Sequence, residues 1–94
     1  MNSITYDERK QIYQLACQKY GIDSQIVIAV EEMSELIKEI CKMSRGQGNI
    51  ENLAEEIADV TIMMEQLRLI YVVNDLVCDY MDAKIQRLQI RLEE

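Results

Sequence analysis

The sequence contains no histidine, proline, phenylalanine or tryptophan, and only three glycines. Without histidine there can be no Ser-His-Asp or Cys-His nucleophilic centre, no His-ligated zinc and no carboxylate–histidine di-iron bundle. Any metal chemistry must use carboxylates or thiolates. The three cysteines, Cys17, Cys41 and Cys78, are far apart and odd in number. They form no C-x-x-C pair, so the expectation is small, partly buried apolar side chains in a reducing compartment rather than a zinc knuckle or redox dithiol. Positive charge is scarce: Lys+Arg 10 stand against Asp+Glu 17, a formal net charge of −7. Such a chain repels a nucleic-acid backbone, so no nucleic-acid polymer is expected as a partner. No apolar run approaches the roughly 20 residues of a membrane span, and no charged-then-apolar leader opens the chain. The expectation is a cytoplasmic protein without membrane contact.

What is present suits one globular domain over residues 1–94, with 49% hydrophobic and 29% charged residues. No segment alternates with a two-residue period for long enough to propose a sheet. The spacing predicts an all-α fold, an antiparallel bundle of about four helices. Thr5-x-x-Glu8 is a capping box that opens the first helix, which runs to about Tyr20 and closes at Gly21. Asp23 or Ser24 is expected to cap the second, which continues to about Ser44 with a core stripe of Ile26, Val30, Met33, Ile37, Ile40 and Ser44. Arg45-Gly46-Gln47-Gly48-Asn49 is the clearest turn. Asn49 then caps a third helix, from about Ile50 to Tyr71, whose main stripe is Leu53, Ile57, Val60, Met64, Leu67 and Tyr71. Ile62, Leu69 and Ile70 lie off that stripe, so this helix should be buried on more than one side. Val72-Val73 carry no turn residue. A break is nonetheless expected there, with Asn74 as the cap of a fourth helix to about Leu92; the alternative is one unusually long helix.

Two carboxylate pairs carry the chemistry. Glu32 and Glu35 in the second helix, and Glu56 and Asp59 in the third, are each spaced to point within about 60° of one another. The tight turn at 45–49 folds the two helices into an antiparallel hairpin, and a rise of about 1.5 Å per residue sets the two pairs within about one helical turn of the same level. Four acids converging on one spot repel one another, and even exposed like charges four apart on a helix cost roughly 0.2–0.5 kcal/mol per pair. A hard divalent cation with oxygen ligands, such as Mg²⁺, would offset that repulsion and bridge to a phosphate chain. A solvated acidic face is the plain alternative in a chain with 17 acids. Glu39 is expected on the outer face of the second helix, away from the pairs.

The pattern Glu31-Glu32-x-x-Glu35 followed by Glu56-x-x-Asp59 resembles the EExxE…ExxD signature of the MazG-like, all-α nucleoside triphosphate pyrophosphohydrolases. The stretch EEMSELIKEICKMSRGQGNIENLAEEIADVTIMMEQL is similar in its apolar spacing and its Arg-Gly turn. The resemblance covers about two thirds of the chain. It implies Mg²⁺, with Mn²⁺ as a substitute, held by Glu32, Glu35, Glu56 and Asp59, with Glu31 and Glu55 close behind. It also implies water attack on a nucleoside triphosphate to give the monophosphate and pyrophosphate, in a homodimer or homotetramer. The family often has a glycine near the junction of the third and fourth helices, where this chain has Val72-Val73.

Lys84, Arg87 and Arg91 share one face of the fourth helix with Tyr80, beside a packing stripe of Val77, Met81, Ile85, Leu88 and Leu92. Such a face can hold phosphate oxygens through charge-assisted hydrogen bonds, or can merely complement the helix dipole; the resemblance favours the first. Base stacking could come only from Tyr6, Tyr13, Tyr20, Tyr71 or Tyr80. A reading of another class is a non-catalytic helical module whose acidic face binds a basic partner.

Overall fold

The computed structural model describes residues 2–94 as four α-helices, with no strand among the described residues. Helix α1 spans Tyr6–Tyr20, α2 Ile22–Ser44, α3 Ile50–Ile70 and α4 Asn74–Leu92. The expected all-α fold is thereby observed. Among the described residues, no helix is long and apolar enough to cross a membrane.

Local chemistry explains most boundaries. The Thr5 side chain accepts from the Glu8 backbone N–H at 3.1 Å, and Glu8 accepts in return from the Thr5 N–H at 3.2 Å, which satisfies two donors the first turn leaves free. Gly21 ends α1 at φ 93°, a conformation costly for any residue with a Cβ, and is at once the N-cap of α2. The side-chain cap expected from Asp23 or Ser24 is therefore absent: α2 begins at Ile22, and both residues lie inside its first turn. At the next turn the Asn49 side chain accepts from the Asn52 N–H at 2.9 Å. Gly48 is required by proximity, since a Cβ there would stand 2.9 Å from the Met43 backbone nitrogen.

Helices α2 and α3 pack along their length as a hairpin, and α1 lies against both. Arg9 clamps α1 to α3: its Nε donates to Glu65 Oε1 at 3.1 Å and its Nη2 to Glu65 Oε2 at 3.0 Å. The buried Tyr13 hydroxyl donates to the same Glu65 at 3.0 Å. The face of α2 turned inward is not the expected one. Gln25, Ala29 and Glu39 are buried, with Glu32 and Leu36 half-buried between them, whereas Val30, Ile37 and Ile40 are exposed. Ala29 explains the rotation, because its small side chain lets the two helices approach closely. On α3 the buried residues are Met63 and Gln66, so the inward face runs through Glu56 and Asp59 while Ile57 and Tyr71 of the expected stripe are exposed.

Helix α4 departs most from a closed bundle. It touches only α3 and contributes no buried residue, so its expected packing stripe is exposed from Met81 onward. The radius of gyration, 16.2 Å, accordingly exceeds the roughly 12 Å of a compact chain of this length.

Candidate metal centre

Glu32 of α2 meets Glu56 and Asp59 of α3 across the hairpin, with one carboxylate oxygen of each within 4.8 Å of the others. The three-residue spacing of Glu56 and Asp59 turns both toward α2, and Glu32 faces them on the inward side defined by Gln25 and Ala29. All three are half-buried. Burial, then the charges of Asp59 and Glu56, hold the Glu32 carboxyl above its ordinary range. Glu56 is raised by burial first, then by Asp59, Glu35, Glu55 and Glu39. Glu56 Oε2 is cut off from solvent and has no hydrogen-bond partner. A carboxylate oxygen left in that state costs free energy unless a donor or a cation meets it.

The other expected residues stand differently. Glu35 is exposed and outside the three-carboxylate triangle, although its charge reaches both Glu32 and Glu56. Glu31 and Glu55 are exposed on the rims of α2 and α3. Lys84, Arg87, Arg91 and Tyr80 are all exposed on α4, and α4 touches neither α1 nor α2. Within one chain these four groups are not gathered at the acids.

Glu39 is a correction. It is buried and faces α3, with Oε1 3.4 Å from Lys42 Nζ and Oε2 unpartnered. Its seven-residue spacing from Glu32 returns it to the same helix face, and that spacing was the available signal. Gln25 and Gln66 are the other buried polar groups that the sequence did not single out; Gln66 continues the Glu56–Asp59 face of α3.

The donor set fits a hard divalent cation. It is all carboxylate oxygen, it comes from two helices, it carries an orphaned buried oxygen, and among the described residues no lysine or arginine pairs with it. Glu32, Glu56 and Asp59 would hold the ion, with Glu35 the nearest further carboxylate. Compared with protein-family models, curated proteins and solved structures, the chain matches none, so the functional reading rests on this geometry and on the motif that produces it.

Proposed function

We propose that this chain is a Mg²⁺-dependent nucleoside triphosphate pyrophosphohydrolase of the MazG-like kind. It would act in the cytoplasm on a ribo- or deoxyribonucleoside triphosphate and release the monophosphate and pyrophosphate, a reaction suited to clearing unwanted nucleotides. The observation that carries the reading is the convergence of Glu32, Glu56 and Asp59 from two antiparallel helices, with Glu56 Oε2 buried and unpaired. A cation held by Glu32, Glu56 and Asp59, Mg²⁺ or Mn²⁺, would supply charge neutralisation at the phosphates and a lowered pKa for the attacking water. Glu31 or Glu35, exposed beside the triangle, takes the proton from that water. Arg87, Arg91 and Lys84, with Tyr80, hold phosphate oxygens.

Because α4 stands away from its own acids, those basic groups act most simply in a homo-oligomer, where the α4 of one copy lies along the hairpin of another. The surface area supports a second copy. The chain exposes 7510 Å², whereas a compact protein of this mass exposes about 5600 Å². The surplus, about 1900 Å² per chain, is what an obligate homodimer buries. Exposed apolar residues occur on every helix, among them Val27, Val30 and Ile37 of α2 and Met81, Ile85 and Leu88 of α4.

The same exposed faces favour one other reading, a non-catalytic module that docks a partner protein. Incubation with a panel of canonical and modified nucleoside triphosphates plus Mg²⁺ separates the two. The proposal expects monophosphate and pyrophosphate in equal amounts from at least one substrate; no product across the panel contradicts it.

A further inference from the structure

A groove of about 410 Å³ opens between α1 and α3, lined by Tyr13, Gln14 and Gln18 on one side and Gln66 and Ile70 on the other, with Lys10 at its edge. Its volume lies within the range of small-ligand sites, and it combines apolar walls with a few polar groups, as such sites do. Gln66 is only 5% exposed, and its Oε1 has no hydrogen-bond partner. A buried amide oxygen left unpaired costs free energy that nothing in the fold returns. Rotation about the soft terminal torsion of the side chain can bring the amide edge to the groove.

The position of Gln66 relates the groove to the acids. Seven residues separate it from Asp59, which places it within about 20° of the same azimuth and about 10 Å further along α3. Ile70 continues the line by one more turn. The groove and the acid triangle therefore lie in sequence along one face of one helix. A nucleotide holds its base away from its phosphates across the sugar, so a base site further along the same face than the acids fits its extended shape.

We infer that this groove holds the base of the nucleotide and that Gln66 reads the base edge. Its amide offers one acceptor beside donors, which matches a heterocycle presenting an N–H next to a ring nitrogen or carbonyl. Gln14 and Gln18 lie across the groove as further amide partners, while the Tyr13 ring and Ile70 supply apolar contact to the faces of the heterocycle. Gln66 is thus a specificity-determining residue. The inference rests on the nucleotide reading above, but its test needs neither metal nor turnover.

The test is an NMR titration of the ¹⁵N-labelled full chain with the 5′-monophosphates of adenosine, guanosine, cytidine and uridine, each in the presence of a chelator. At least one should move the Gln66 side-chain NH₂ signals together with the backbone amides of Gln14 and Ile70, and should do so saturably. Gln66→Leu, which replaces the unpaired amide with an apolar group of similar size, should weaken that binding about tenfold or more. Mg²⁺ alone should still shift Glu32 and Asp59 in the variant. If no monophosphate moves the groove signals of the wild-type chain, or if Gln66→Leu binds with unchanged affinity, the inference is overturned. Nucleoside triphosphate turnover with a silent groove overturns this inference alone. Groove binding without turnover overturns the hydrolase reading and leaves the groove as a nucleotide site.

Discussion

Glu32 and Glu56 take up protons more readily in the folded chain than in the unfolded one, because burial and the neighbouring acids penalise their charge. Their contribution to stability is therefore fully present below the ordinary glutamate range and is lost as pH rises through their raised values. Glu65 has the opposite sign. The Arg9 guanidinium and the Tyr13 hydroxyl hold it below its ordinary value, so its contribution is present at neutral pH and lost as pH falls through that depressed value. In a chelator, melting followed by circular dichroism should give a melting temperature that rises as pH falls from neutral toward the ordinary glutamate range and falls on further acidification. Saturating Mg²⁺ should flatten the upper arm, since a cation replaces the protons. Asp59→Asn removes one of the charges that raise Glu32 and Glu56, so in a chelator it should leave the melting temperature at pH 8 equal or higher. A marked fall would identify Asp59 as a structural partner instead.

At the scale of the helices, the break between α3 and α4 contains the clearest departure from expected backbone chemistry. Val72 has φ 54° and is 87% exposed. A β-branched residue in the left-handed region is strained by about 1–3 kcal/mol, and an exposed side chain returns little of that through burial. Glycine adopts the conformation freely but costs about 0.5–1 kcal/mol in unfolded-state freedom. Val72→Gly should accordingly leave the melting temperature unchanged or raise it, despite deleting a large aliphatic side chain. A fall of several degrees would mean that the valine side chain is buried in the working assembly. The break was expected from the length a single helix would need and from Asn74 as a cap. The break is there, but Val73 holds the cap position without a side-chain bond and Asn74 is already inside α4, because the residue that makes the turn is not a turn former. Capping was easier to read where it rests on one side chain and one backbone donor, as at Thr5 and Asn49. The start of α2 was misread for the converse reason: Gly21 serves two helices at once, and no polar side chain had to take part. The buried face of α2 was also displaced, because Val30, Ile37 and Ile40 form the more apolar stripe but Ala29 permits the closer helix approach. Periodicity reports which residues avoid water, not which partner covers them.

For the whole molecule, the acid pairs were readable because both their spacing and their level are local properties of two helices joined by a short turn. The position of α4 was not, since its stripe would suit packing within the chain or between chains equally well. The fold leaves Met81, Ile85 and Leu88 of α4 in solvent together with Val30, Ile37 and Ile40 of α2. In the proposed homo-oligomer these residues would be the ones a second copy covers. Light scattering at micromolar concentration should give a mass at least twice the 11.0 kDa of the chain. Ile85→Glu should shift it toward the monomer, because a charge buried in such an interface has no partner. A stable monomer in the unaltered protein would contradict the association.

The central claim is that Glu32, Glu56 and Asp59 form a divalent-cation site, and calorimetric titration of Mg²⁺ into the chain and its Asp59→Asn variant tests it most directly. The account predicts saturable binding to the unaltered chain. In the variant, affinity should fall by at least about tenfold, since losing a ligand should cost more than the 10–100-fold typical of losing a group that merely orients one. A variant that titrates like the unaltered chain, or an unaltered chain that gives only weak, non-saturating heats, would contradict it.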